Sequence, residues 1–205
     1  NKTVLLRWFN LQQYFEAMEK YKTVATTAVP TMYIYMLLYP DAHKYDISSM
    51  KFWVYGSAPM SNDHIKQMQT KFGAWMVEGW GLTEAGGNNS FNTLAGFNKM
   101  GSIGTPMSGV EMKIFDEDSK ELPQGQAGEI VIRGDMLMQG YWNMPEQTAE
   151  VLRDGWLYTG DIGYVDEEGY FYITDRKKDM LIKGGENIFP REVENVLMDH
   201  SCVME

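Results

Sequence analysis

The first hundred residues switch repeatedly between helical and extended periodicity, and that alternation narrows the possible folds more than any other feature of the chain. Leu11, Tyr14, Phe15, Met18 and Tyr21 recur at helical spacing, and "TVATTAV" follows as a short β-rich run ended by Pro30. Pro30 is suited to open a second apolar helix through Met36 and Leu38, since a first helical turn does not need the N–H that proline lacks. "KFWVYG" has the pattern of the next strand. Ser61 is placed to cap a helix carrying Ile65, Met68 and Phe72, and "AWMVEGWG" is a strand that runs into a glycine-rich loop. Such alternation predicts parallel strands joined by crossover helices, an α/β layer. Ligands of these sheets bind beyond the carboxyl ends of the strands. Two loops occupy that position, "YGSAP" at 55–59 and "GWGLTEAGG" at 79–87.

From about Gly101 to Asp175 the texture changes. Val110, Met112 and Ile114 alternate with polar residues, "GEIVIRG" is a compact strand between glycines, and "GYVDEEGYFYI" reads as two strands joined by an acidic turn. This zone predicts a small barrel or curled sheet. One helix interrupts it, with Pro145 near its first turn and Thr148, Val151 and Leu152 on one face. The last zone, "DRKKDMLIKGGENIFPREVENVLMDH", joins a strand-like "MLIK" to a Gly184–Gly185 turn. A helix follows, with Pro190 at its start and Val193, Val196 and Leu197 inward, and the chain stops at Glu205 in a strand-like segment. The expected division is 1–100, part of an α/β subdomain; 101–175, a β-rich subdomain; and 176–205, the truncated start of a small α+β domain.

Composition matters for what it excludes. A formal net charge of −10 without any block of like charge disfavours nucleic acid and anionic membrane surfaces, which need clustered Lys and Arg. No apolar run approaches the roughly 20 residues of a spanning helix. The single cysteine, Cys202, precludes an internal disulfide framework and suits a reducing compartment, so a cytoplasmic location is expected. His43, His64 and His200 stand apart from one another and from both loops, and receive no catalytic or metal role.

Within "EGWGLTEAGGNN" the glycines allow close backbone approach, and Thr83 and Glu84 put a hydroxyl and a carboxylate side by side. By residue type alone this pair reads sooner as a helix cap, "YGSAP" as readily as an ordinary turn, Asp161 sooner as a turn residue after Gly160, and Arg176 sooner as a solvated charge. Taken together, "YGSAPMS", "GWGLTEAG", "GEIVIRGDMLMQGYWNMPEQTAE" and "LYTGDIGYVDEEGYFYITDRKKDMLIKGGENIFPREVE" resemble, in order and separation, the adenylate-forming family of acyl-CoA synthetases, luciferases and peptide-synthetase adenylation domains. The resemblance covers essentially the whole chain.

That resemblance implies activation of a carboxylic acid with ATP to an acyl-adenylate and, in the CoA ligases, transfer to the thiol of CoA. It implies that Thr83 donates to a phosphate and that Glu84 helps to hold Mg²⁺, the two acting as catalytic residues. Gly79, Trp80 and Gly81 would let the backbone pass close to nucleotide and acyl group. Gly56, Ser57, Ala58 and Pro59 would wall the adenine, Asp161 would accept from the ribose hydroxyls, and Arg176 would reach ribose or phosphate. Lys178 matches the hinge before the family's C-terminal lid, with Lys as in luciferases where many synthetases carry Asp. Gly184, Gly185 and Glu186 match the loop that lines the pantetheine passage of CoA. The family's phosphate loop belongs upstream of "YGSAP" and its carboxylate-orienting lysine lies past Glu205, so the chain is expected to be a fragment, inactive by itself. "GWGLTEAG" and "GGENIFPREVE" look more like fatty-acyl-CoA synthetases than amino-acid-activating domains, which implies a medium- or long-chain fatty acid as substrate. A luciferase-like or amino-acid-activating enzyme, and a non-catalytic nucleotide-binding module of the same fold, are the alternatives.

Overall fold

The computed structural model describes residues 2–58, 60–92, 99–179, 181–183, 186–188, 190, 193, 196 and 197. Pro59, Gly184, Gly185 and the strand expected at the end of the chain lie outside the described residues, as does the side chain of Glu186. The chain divides into two compact units, Asn1–Glu78 and Gly79–Glu205.

In the first unit, helix α1 (Leu11–Tyr21) begins where the Asn10 side chain accepts from the Gln13 N–H at 3.0 Å, satisfying one of the donors that a helix start leaves unpaired. It buries Phe15 and Met18, while Tyr21 at its end is exposed, contrary to the helical spacing. Strand β1 (Ala25–Ala28) leads into helix α2 (Pro30–Leu38), which starts at the proline as expected and buries Tyr33 and Met36. Leu38, read as part of its apolar face, is exposed. A 3-10 turn (Pro40–Lys44) and strand β2 (Phe52–Tyr55) precede helix α3 (Asn62–Phe72). Ser61 caps α3 by accepting from the His64 N–H at 3.3 Å, and Gly73 stops it in a left-handed conformation.

Strand β3 (Trp75–Leu82) completes a parallel set in which Ala25 lies beside Phe52 and Phe52 beside Trp75. The core of this unit is aromatic. Tyr33 meets Trp53 edge to face at 6.0 Å, and Phe15 stacks on Tyr39 and Tyr45 at 5.4 Å. The Tyr33 hydroxyl donates to the Val54 carbonyl at 2.7 Å, fastening α2 to β2, and burial raises its pKa well above the ordinary phenol value.

In the second unit, the end of β3 turns through a 3-10 turn (Thr83–Ala85) and pairs antiparallel with β4 (Gly87–Phe91), which pairs with β5 (Thr105–Pro106). Next come β6 (Glu111–Phe115), β7 (Gly128–Arg133), α4 (Pro145–Val151), β8 (Leu152–Arg153), β9 (Trp156–Val165) and β10 (Phe171–Arg176). They form a curled antiparallel half-barrel in the order β10-β9-β7-β6, with β8 beside β9. The hairpin β11 (Leu181–Lys183) and β12 (Glu186–Ile188) follows.

Alternation along the strands sorts the side chains onto two faces. Met112, Ile114, Ile130, Ile132, Leu157 and Phe171 form one core, and Phe115, Val131, Trp156 and Tyr158 form the other. Leu152, expected on the helix, sits instead in β8 opposite Leu157. Val193, Val196 and Leu197 are exposed rather than inward, because helical spacing marks a face as apolar without supplying anything to cover it. The fold is thus mixed α/β, a parallel layer followed by an antiparallel half-barrel, and among the described residues no helix is long and apolar enough to cross a membrane.

The two-faced sheet makes a direct expectation. Ile132→Ala empties a fully buried site in β7 and should cost about 2–5 kcal/mol. Its exposed neighbour Arg133, paired with Glu111, should cost no more than about 1 kcal/mol when replaced by Ala. Urea denaturation followed by circular dichroism checks the contrast, and equal losses would contradict the assignment of faces.

Candidate active site

Several of the candidate residues gather at two breaks in the regular structure of the second unit. The first is the turn after β3. Gly79, Trp80 and Gly81, which the strand reading of "AWMVEGWG" includes and the loop at 79–87 also covers, are strand residues, and Thr83, Glu84 and Ala85 form the turn. Gly81 is required by packing, since a Cβ there would lie 1.7 Å from the carbonyl oxygen of Gly87 across the hairpin. Buried Asn89 stitches the turn from inside. Its Nδ2 donates to the Ala85 carbonyl at 2.8 Å, and its Oδ1 accepts from the Leu82 N–H at 3.2 Å. Thr83 is left exposed at the tip, and Glu84 beside it is half-buried.

Glu84 is held at both ends. Its carbonyl accepts from the Met138 N–H at 2.7 Å, and its Oε1 accepts from the Tyr141 hydroxyl at 2.9 Å. Burial first, and then the hydrogen bond and charge of Glu84, raise the Tyr141 pKa, so the phenol stays protonated and donates. Glu84 is therefore an oriented carboxylate. Among the described residues no cluster of three or more His, Cys, Asp or Glu could hold a metal alone. One oriented carboxylate still fits Mg²⁺, which is held through one or two carboxylates together with substrate phosphates and water.

The second break lies in β9. Pairing with β7 runs Leu157 to Ile132 and Tyr158 to Val131, then resumes at Ile162 opposite Glu129. Four steps along β9 thus match two along β7, and Thr159, Gly160 and Asp161 bulge out of the ladder. Gly160 takes φ 74°, which glycine adopts without the cost a side chain would add. The bulge loses ladder bonds, and side chains replace them. Thr159 Oγ1 donates to the Ile130 carbonyl at 2.7 Å and accepts from the Asp161 N–H at 3.1 Å, while Glu129 Oε1 accepts from the Gly160 N–H at 3.0 Å.

The bulge presents Asp161, only 2% exposed. Its Oδ2 accepts from the Trp80 indole N–H at 3.1 Å, and its Oδ1 lies 3.1 Å from Arg176 Nε, opposite it on β10. Three expected residues from three distant segments therefore meet at one carboxylate. An ionised carboxylate is acceptor-only with about four lone-pair positions, the chemistry suited to neighbouring hydroxyls of a sugar. Arg176 remains half-exposed and uses one of its guanidinium donors on Asp161.

In the first unit, Gly56, Ser57 and Ala58 follow β2, with Ser57 at φ 67° in the left-handed region and exposed. Tyr55 just before them donates its hydroxyl to Glu78 Oε2 at 2.9 Å across the parallel pair, and burial, reinforced by Glu78, raises its pKa. Lys178 is exposed, just past the end of β10. The residues that pattern reading missed are Tyr141, Asn89, Thr159 and Glu129. Only Glu129 carried a signal, as a carboxylate on the same alternating side of "GEIVIRG" as buried Val131.

The AMP-binding enzyme family model matches residues 2–142. Over 203 residues the chain is 44% identical to a long-chain-fatty-acid–CoA ligase of Bacillus subtilis, covering 98% of this chain and 36% of that protein. It is 39% identical over 186 residues to a long-chain-fatty-acid–CoA ligase of Salmonella typhimurium, covering 91% of this chain and 33% of that one. Among solved structures, the amide bond synthetase McbA from Marinactinospora thermotolerans superposes with a TM-score of 0.88 at 33% identity, over 96% of this chain and 40% of the other. ATP-bound MatB from Rhodopseudomonas palustris gives a TM-score of 0.88 at 34% identity, over 96% and 39%. The chain spans about a third of the length of the curated relatives it matches. By the match over residues 2–142 the chain belongs to the AMP-binding enzyme family.

Proposed function

We propose that the protein containing this chain is an ATP-dependent acyl-CoA synthetase, which activates a medium- or long-chain fatty acid as its acyl-adenylate and transfers the acyl group to CoA in a reducing, cytoplasmic setting. The observation that carries this is the meeting of Trp80, Asp161 and Arg176 at one buried carboxylate. The names of the relatives favour the fatty acid.

The chain's residues divide the work. Asp161, oriented by Trp80 and Arg176, accepts from the ribose hydroxyls and fixes the nucleoside. Thr83 at the exposed tip donates to a phosphate oxygen. Glu84, oriented by Tyr141, is the carboxylate for Mg²⁺, which when bound with ATP neutralises charge on the phosphoryl oxygens. Adenylation forms a bond between a carboxylate oxygen of the acid and the α-phosphorus and breaks the bond to pyrophosphate, which leaves with its electron pair. The protein's contribution is then position and charge stabilisation. Gly56, Ser57, Ala58 and Pro59 line the adenine. Gly79 and Gly81 admit the backbone close to the acyl-adenylate. Lys178 is the pivot of the following domain, and Gly184, Gly185 and Glu186 line the path of the CoA arm.

Exchange of labelled pyrophosphate into ATP by the full-length protein, with octanoate, palmitate, ferulate and anthranilate compared, tests the reading. Ferulate enters because a feruloyl-CoA synthase of Amycolatopsis is 41% identical over 188 residues, and anthranilate because an anthranilate CoA ligase superposes with a TM-score of 0.84. Fatty-acid-dependent exchange followed by thioester formation is expected. Exchange with no acid would sink the enzyme reading, and exchange with an aromatic acid alone would replace its substrate.

Two side chains are expected to separate by their response to metal. Glu84→Gln should slow exchange on the order of 100-fold, with partial recovery at raised Mg²⁺. Tyr141→Phe, which frees the same carboxylate to rotate, should slow it on the order of 10-fold with the same recovery. Asp161→Asn should instead raise the KM for ATP with a smaller dependence on metal. Steady-state exchange kinetics across a Mg²⁺ series measures all three, and a silent Glu84→Gln would return Thr83 and Glu84 to a purely structural turn.

A further inference from the structure

Glu129 is a buried carboxylate that the proposed chemistry leaves without a task. Its two oxygens serve two different segments. Oε1 accepts from the Gly160 N–H at 3.0 Å, and Oε2 accepts from Lys177 Nζ at 3.0 Å. Gly160 immediately precedes Asp161, and Lys177 immediately precedes Lys178. The same two residues are bonded through the backbone, since the Lys177 N–H donates to the Gly160 carbonyl at 2.8 Å. Gly160 is thus held at both its peptide groups, by Glu129 on one side and by Lys177 on the other. After Lys177 the chain turns, with the Asp179 N–H donating to the Arg176 carbonyl at 3.0 Å, and Lys178 stands exposed within that turn.

We infer that Glu129 and Lys177 form a latch that clamps the nucleotide-presenting bulge to the last fixed residue before Lys178, making Glu129 a positioning residue for Asp161. The chemistry favours this assignment over a chance surface pair. The carboxylate is 9% exposed, so losing its cation leaves a buried charge with one ligand, while the ammonium is half-exposed and gains little from packing. Both of its bonds end beside residues of the proposed site, and neither helps to fill the core. With the latch closed, motion of the segment after Lys178 begins at Lys178 and leaves the Asp161 loop undisturbed. With it open, the same motion pulls on Gly160.

The inference rests on the proposed adenylating activity, and its test separates the two. In the full-length protein, Lys177→Met keeps the side-chain length and the backbone bond but removes the ammonium, and Glu129→Gln keeps an acceptor for Gly160 but removes the charge. Each variant should raise amide hydrogen exchange about tenfold in the peptides covering 158–162 and 174–178. Each should raise the Kd for AMP and the KM for ATP three- to tenfold, with the maximal exchange rate within twofold of the parent. Lys177→Arg should restore all of these, and the double variant should be no worse than the worse single one.

Unchanged amide exchange and AMP affinity in Lys177→Met would overturn the latch, as would single-variant effects that simply add. A general rise in amide exchange across β6 and β7 would also overturn it, by showing a structural role alone. If the parent protein shows no acid-dependent pyrophosphate exchange, the proposed function fails, while amide exchange and AMP binding still decide the latch.

Discussion

Everything placed at the candidate site of the second unit depends on one constraint: a strand that leaves its ladder must find other partners for the peptide groups it strands. In β9 the ladder lapses between Tyr158 and Ile162, and Thr159, Glu129 and Lys177 take up the released donors and acceptors. Without those bonds the bulge would cost the desolvation of buried N–H and C=O groups, about 1–3 kcal/mol each. With them, the interruption is braced by β7 on one side and by the segment after β10 on the other. Asp161 is then buried with its carboxylate already held by Trp80 and Arg176.

The turn after β3 solves the same problem by different means. There the braces are Asn89 and the Met138 N–H, and the side chain held in place is Glu84. The two sites also differ in exposure. Asp161 is buried and gripped through both oxygens, which suits a group that recognises a shape, whereas Glu84 is half-buried with one oxygen on Tyr141, which suits a group whose partner must come and go. Both depend on contacts distant in sequence, 81 positions for Trp80 to Asp161 and 57 for Tyr141 to Glu84.

That distance sets the limit of what could be read from the chain alone. The Ser61 cap, the start at Pro30, the inward faces of α1 and α3, and the alternation of β6 are local, decided within one helical turn or one pleat, and they were legible. The endpoints Tyr21 and Leu38 were not, because periodicity extends a face past the place where packing stops. The spacing of Leu152 from Thr148 fits a helix, yet pairing with Leu157 draws it into a strand. Trp80, Asp161, Arg176 and Glu84 stand out by resemblance, which supplies identities but no partners. Tyr141, Asn89 and Thr159 carry no sequence signal, because a hydroxyl or amide that braces a distant peptide leaves no period in the sequence.

The bulge also bears on how such a chain can change in length over time. Because it adds two residues to β9 relative to β7, it preserves the parity of the strand: Leu157 and Ile132 share one core, and Tyr158 and Val131 share the other. A change of length by one residue inside "YTGD" would have to be absorbed by reshaping the bulge, as the single extra residue between Ile173 and Asp175 is absorbed on β10. Such reshaping would move Thr159, Gly160 or Asp161 away from the groups that brace them, so the length of this run is tied to the presentation of Asp161.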